Sequence, residues 1–173
     1  MAQISGNLMK RSDKVAFYGI KAAEGDTYTY HRMQGFTDIS TSKNPIEYSR
    51  QYVDEEFEQS DVVGYSPSIA YGFDQFTGNA VHEDIVRISD DELLGTEAVR
   101  PIIMVDMSKA GTPAGSFAAV KRDFAVIPDS EGDSTDAYTY SGNLKVKGDK
   151  IKGTATSADG WQTITFTEEG AEA

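Results

Sequence analysis

Between positions 62 and 76 the sequence alternates strictly enough to dictate its own backbone. The odd positions Val63, Tyr65, Pro67, Ile69, Tyr71 and Phe73 make an apolar face that ends at Gln75, while Gly64, Ser66, Ser68, Ala70, Gly72 and Asp74 between them are small or polar. Side chains of an extended chain point alternately to opposite faces, so this spacing predicts a strand with one buried side. The opposite side carries nothing large, which suits a smooth wall or the close approach of another backbone. A chain organised around such a segment is committed to a sheet that must be covered on one side.

Further β signals surround it. Residues 15–20 form a short apolar strand, and residues 27–33 place Tyr28, Tyr30 and Arg32 on one face, with a hairpin turn at Gly25-Asp26 between the two. Ile46, Tyr48, Arg50 and Tyr52 alternate with Glu47, Ser49, Gln51 and Val53 in a strand entered through Asn44-Pro45. Residues 102–105 read as a short buried strand. Along residues 117–127, Ala118, Val120, Phe124 and Val126 share a face interrupted by Arg122. The last quarter reads as a meander over 137–147, 150–157 and 161–166, turning at Gly148-Asp149 and Asp159-Gly160. One helix is predicted over 79–89: Asn79 caps it, Glu83 and Asp84 favour its positive end, and Val81, Ile85 and Ile88 recur at helical spacing. Ser89-Asp90-Asp91-Glu92 matches a capping box and predicts a separate short turn ending at Gly95. The fold class is mainly β, a β-sandwich or open barrel with one packed α-helix and long extended loops.

With 173 residues and no internal repeat, the chain reads as a single β domain over 15–167, flanked by an amino-terminal arm at 1–14 and an acidic tail at 168–173. Twenty-eight acidic residues outweigh sixteen Lys and Arg, for a net charge of -12, and such a balance opposes tight binding to a polyanion. There is no cysteine, which removes disulfide scaffolds and thiolate chemistry. The amino end lacks the basic-then-apolar pattern of a secretory signal and no apolar run reaches membrane-spanning length, so a cytoplasmic product with no membrane partner is expected.

Catalytic residues, metal ligands and cofactors are not indicated. His31 and His82 lie in no ligand or nucleophile motif, and His82-Glu83-Asp84 reads as a solvated helix face. Residues 129–136 begin like a calcium loop but lack its glycine and its final acid, where Tyr140 stands, so they read as an acidic loop. Gly111-Thr112-Pro113-Ala114-Gly115 reads as a turn, because no Lys-Ser/Thr and no helix follow it. Lys145, Lys147, Lys150 and Lys152 are placed on facing strands of a hairpin, as solvated edge lysines. The most informative run is Asp54-Glu55-Glu56-Phe57-Glu58-Gln59-Ser60-Asp61, five acids with no base, between two β segments. It is either a solvated hairpin tip or a projecting loop that meets a basic partner or lines a channel repelling a polyanion.

The order of these features resembles the tail tube (major tail) proteins of siphophages. The resemblance is carried by 15–20 (Val-Ala-Phe-Tyr-Gly-Ile), the ribbon 46–55, the run from Ser66 to Asp74, the helix, and Ala118 to Ile127 before a terminal hairpin. It implies the phage tail tube fold, with homo-hexameric rings sharing an inner β-barrel and stacking into a tube through which DNA passes without specific binding. A loop at about 42–61 would reach the adjacent ring, with the terminal arms adding contacts. It further implies tape measure, tail tip and tail terminator partners, a place in the virion tail after synthesis in the host cytoplasm, and no enzymatic activity. Asp54, Glu55, Glu56, Glu58, Asp61 and Asp74 are assigned to ring stacking or the lumen. Two other readings compete: a tube protein of a contractile tail or phage-like secretion device, and a secreted carbohydrate-binding β-sandwich using Trp161, Tyr138 and Tyr140.

Overall fold

The computed structural model describes residues 5–171. The expected arm and tail therefore lie partly outside the described residues, at 1–4 and 172–173. The strands are, in chain order, β1 (Lys14–Lys21), β2 (Tyr28–Arg32), β3 (Phe36–Ser42), β4 (Pro45–Arg50), β5 (Gln59–Tyr65) and β6 (Ser68–Asp74). After the helix α1 (Ala80–Asp90) come β7 (Val99–Ala110), β8 (Phe117–Glu131), β9 (Thr139–Val146), β10 (Ile151–Thr156) and β11 (Thr163–Glu168). They group into two compact units, one of residues 5–34, Arg100–Asp123 and 148–171, the other of Gly35–Val99 and Phe124–Lys147.

The first unit is a closed six-stranded barrel, so the mainly β expectation holds and its sheet closes rather than staying open. β1 pairs antiparallel with β2 and β7, β2 with β11, β11 with β10, and β10 with the first half of β8, which neighbours β7. Val15, Phe17, Ile103, Val105, Ala119, Ala155 and Ile164 fill the interior, with Phe117, Trp161 and Phe166 packed against them. The Trp161 ring lies 5.3 Å from Phe117 and 6.5 Å from Phe17. The hairpin at Gly25-Asp26 closes β1 on β2 as expected, and the turn at 111–115 is tied by Gly111 N–H donating to the Ser116 carbonyl.

In the second unit, the latter half of β8 pairs with β9, β9 with β6, and β6 with β3. Ile69, Tyr71 and Phe73 of β6 are buried together with Tyr140, Leu144, Phe124 and Val126 of the neighbouring strands. The apolar stripe of α1, Val81, Ile85 and Ile88, is buried with them. Asn79 caps the helix as predicted, its side chain accepting from the N–H groups of Val81 at 3.1 Å and His82 at 3.3 Å.

Several expectations are corrected. The run 62–76 is not one strand: it breaks at Ser66-Pro67, and only the part from Pro67 onward buries its odd face. His82 is not solvated but 0 % exposed; its ring stacks on Phe73 at 4.2 Å and its Nδ1 accepts the Phe76 N–H at 3.1 Å. Position 82 adjoins the buried stripe, and the imidazole finds both an aromatic face and a donor there. No separate turn starts at Ser89, because α1 continues through Asp90 and the next short turn begins at Gly95.

The meander fails at Gly148-Asp149. β9 pairs with β8 and β6, and β10 with β8 and β11, so Lys145 and Lys152 oppose Ser68 and Val120 rather than one another. β8 also buries opposite faces along its length, Phe117 and Ala119 toward the barrel interior and Phe124 and Val126 in the second unit. The face through Ala118 and Val120 is therefore not the barrel-filling one.

Gly142 faces Tyr71 across β6 and Pro128 across β8. An added Cβ would strike the Ile127 carbonyl and come 2.7 Å from the Tyr71 hydroxyl. Gly142→Ala is expected to destabilise the protein by about 1–3 kcal/mol, as overpacking does, in chemical denaturation.

Asp159 pins the β10–β11 connection: its carboxylate accepts from Thr163 Oγ1 at 2.6 Å, Thr163 N–H at 3.0 Å, Gln162 N–H at 3.1 Å and Ser157 Oγ at 2.8 Å. These bonds, the Thr163 hydroxyl foremost, hold its carboxyl at about 2 against an ordinary 3.8. The unfolded chain takes up this proton first, so the stabilisation is complete above the ordinary value and lost as pH falls through about 2. Thermal melts across that acid window are expected to lose part of their pH slope in Asp159→Asn, which cannot titrate.

Candidate functional site

Among the described residues β4 and β5 pair only with each other and form a two-stranded ribbon. At roughly 3.4 Å per residue, strands of this length reach on the order of 20 Å. The base is fixed by Asn44, which takes the left-handed conformation (φ 44°) and whose side-chain amide donates to the Ser66 carbonyl at 3.0 Å and to Ser68 Oγ at 3.2 Å. Ser66 N–H returns a bond to the Asn44 carbonyl at 3.1 Å. Pro67 is buried just beyond, and its carbonyl accepts from Val146 N–H. The break in the long alternating run is thus a built joint, where the chain leaves the ribbon and enters the sheet.

The register sorts the ribbon's side chains. Ile46 opposes Gly64, Tyr48 opposes Asp61 and Arg50 opposes Gln59 on one face; Glu47 opposes Val62 and Ser49 opposes Ser60 on the other. A bulge between Ile46 and Glu47 leaves Val63 as the extra residue, which moves Val62 to the face that strict alternation denies it. Ser49 and Ser60 share a hydrogen bond at 2.7 Å, and Arg50 donates to the Tyr48 hydroxyl at 3.2 Å. At the tip, Gln51 Nε2 donates to the carbonyls of Glu55 and Glu56, and Gln59 Nε2 donates to the Glu55 carboxylate at 2.7 Å.

Every residue from Pro45 to Val63 is exposed, and the large apolar ones are prominent: Ile46, Tyr48, Tyr52, Val53, Phe57, Val62, Val63 and, at the base, Tyr65. Phe57 at the tip is 79 % exposed. Single exposed apolar residues need no explanation, but this many on one element make the ribbon a candidate association surface.

The second candidate surface is the outward side of the four-stranded sheet. Cross-strand register aligns Asp38, Ser40 and Ser42 of β3 with Gly72, Ala70 and Ser68 of β6. Those residues in turn align with Ser141, Asn143 and Lys145 of β9, and Asp74 with Thr139. Across β3, β6 and β9 this face is short apart from Asp38, Asp74 and Lys145, and on β8 it continues through Ala125 and the exposed Ile127. On the opposite, buried face, desolvation first and Asp129 second push the Tyr71 phenol well above its ordinary range, so it stays a neutral donor.

The structure therefore gathers Asp54, Glu55, Glu56 and Glu58 at the ribbon tip and Asp61 along β5, whereas Asp74 belongs to the sheet face. Sequence alternation missed two contributors. Val62, Val63 and Tyr65 fell within a segment read as covered, and β3 went unread because a bulge between Phe36 and Asp38 breaks its period, putting Phe36 opposite Phe73 and Ile39 opposite Tyr71. Of the aromatics considered for sugar binding, Tyr140 is buried beside the exposed Tyr138, their rings 5.5 Å apart, and Trp161 packs with the barrel interior.

No protein-family model matches the chain, and no curated protein sequence is similar to it. Among solved structures, it is similar to a chain in the tail of an empty GTA particle with C6 symmetry, at 12 % identity and a TM-score of 0.57, covering 87 % of this chain and all of that one. It also aligns with a chain of the six-fold symmetrised anti-feeding prophage (AFP) baseplate, at 8 % identity and a TM-score of 0.49, over 86 % of this chain and 97 % of that one. The first likeness defines the class of fold: a barrel, sheet and helix arrangement shared with a tail chain of the GTA particle.

If the ribbon serves association rather than folding, its apolar side chains are dispensable to the isolated chain. Phe57→Ser and Val63→Ser are expected to change unfolding free energy by no more than about 0.5 kcal/mol in denaturant titrations, as surface substitutions do.

Proposed function

We propose that the chain is a structural tail protein that closes into six-membered rings and stacks them into a tube through which DNA passes. The observation that carries this reading is the ribbon of β4 and β5, which exposes Ile46, Tyr48, Tyr52, Val53, Phe57, Val62 and Val63 beside a run of carboxylates. Fully burying side chains of this kind is worth about 1.5–3 kcal/mol each, so covering the ribbon with neighbouring copies supplies a gross gain on the order of 10 kcal/mol. That is comparable to the cost of association, about 4–15 kcal/mol. The shared fold with a tail chain of the C6-symmetric GTA particle supports a ring of six copies.

In this reading the small-residue sheet face lines the bore. A wall of Ser, Thr, Gly and Ala offers phosphates few cations to hold, and a net charge of -12 adds repulsion, so a polyanion slides rather than binds. Asp74 takes the lumen role, while Asp54, Glu55, Glu56, Glu58 and Asp61 take the ring-stacking role on the ribbon. Such a tube works as a scaffold without a catalytic step. Its ends meet tape measure, tail tip and terminator proteins, and it resides in the virion tail after synthesis in the host cytoplasm.

Negative-stain electron microscopy of the concentrated protein, with and without an assembly initiator, is expected to show rings or tubes. Replacing residues 51–58 by Asn-Gly, a two-residue turn compatible with the paired strands, is expected to leave rings but abolish stacking. Monomers at every salt and concentration would sink the reading, and unaltered tubes from the shortened ribbon would remove the ribbon from it.

A further inference from the structure

The second unit carries an open hollow of about 410 Å³ beyond the carboxy end of α1, lined by Ile88, Leu93, Leu94 and Pro128 among its apolar residues. Its polar rim is Ser89, Glu92, Asp129, Ser130 and Glu131. Across 88–94 and 128–131 the sequence has five acids, Asp90, Asp91, Glu92, Asp129 and Glu131, and no basic residue. The nearest base along the helix, Arg87, is paired with Asp84 at 3.2 Å. Leu94 at the lip is 80 % exposed. Burial, together with the Asp90 and Glu131 carboxylates, pushes the Tyr140 phenol above its ordinary range, as a region of negative potential does.

The segment at residues 8–11 has the complementary chemistry. Leu8 is 91 % exposed and Met9 46 %, and Lys10 and Arg11 follow directly. These apolar side chains project from a fixed base: Lys10 N–H donates to Asp13 Oδ2 at 2.6 Å, and Arg11 Nη1 to the Lys14 carbonyl at 2.7 Å. Asp13 is engaged by the Lys10 backbone N–H, and Lys10 itself is exposed. Exposed as it is, Leu8 fills no hollow of its own chain.

We propose that the acidic hollow receives residues 8–11 of a second copy, Leu8 and Met9 entering against Leu93, Leu94 and Pro128 while Lys10 meets Glu92, Asp129 and Glu131. This rests on the self-assembly reading above and adds a contact to it. Two acidic surfaces repel, which disfavours the ribbon tip as the occupant, whereas residues 8–11 join bases directly to the exposed Leu8 and Met9 that an apolar hollow takes.

The chain has no cysteine, so an engineered pair reports without background. Leu8→Cys with Leu94→Cys, oxidised in rings verified by microscopy, is expected to give a covalent ladder on a non-reducing gel, whereas Leu8→Cys with Phe57→Cys gives none. Lys10→Glu is expected to raise the concentration needed for assembly several-fold, and adding Glu92→Lys to restore it. Rings without a ladder, a crosslink confined to one chain, or a ladder from the Phe57 pair would overturn this contact and leave the ring reading intact. Failure of every variant and of the parent to assemble would overturn both.

Discussion

Burial of Ile69, Tyr71 and Phe73, with His82 of α1 stacked on Phe73, sets the register on which the second unit depends. A strand covered on one face cannot slip by one residue without turning its whole apolar set outward, so this contact also fixes which residues of β6 point away. Ser68, Ala70, Gly72 and Asp74 become the outward row, and the pairing partners on β3 and β9 inherit the same orientation. His82 belongs to this contact: stacked on Phe73 and bonded to Phe76 N–H, it ties the end of β6 to the first turn of the helix. The flat face is thus a consequence of core packing, available to function because nothing in folding requires large side chains there.

β8 carries a second constraint. Its early residues contribute Phe117 and Ala119 to the barrel interior through one face, and its later residues contribute Phe124 and Val126 to the sheet core through the other. Pairing with β10 ends at Lys121 and pairing with β9 begins at Phe124, so one continuous strand takes two different neighbours in turn. Arg122 sits at this changeover, and its Nε donates to the Gly148 carbonyl at 2.7 Å. The interruption of the apolar face at Arg122 is therefore the position where the strand changes partner.

The ribbon obeys a different logic. Its backbone pairs internally and its tip is held by Gln51 and Gln59, but its apolar side chains gain nothing from the chain's own core. Water-exposed apolar area of this extent is a liability for a solitary protein and a resource for one that assembles. The surrounding carboxylates keep such a surface soluble and limit its partners to those of suitable charge. The same combination of exposed apolar and charged groups recurs in opposite sign at residues 8–11 and in like sign around the hollow beyond α1.

Much of the fold was legible in local sequence. Alternation located most strands, Asn79 and the spacing of Val81, Ile85 and Ile88 located the helix, and the acid run located the ribbon tip, because these features depend on neighbours within a few residues. Tertiary structure alone decided the rest. A bulge hid β3 by shifting its apolar residues to a spacing of three, and partner choice sent β9 to β6 and β10 to β11 although the turn between them looked like a hairpin. It also decided that Val62, Val63 and Tyr65 stay exposed while Ile69, Tyr71 and Phe73 are buried. Periodicity specifies which side chains share a face; only long-range packing specifies whether anything covers that face, since burial depends on elements distant in the chain.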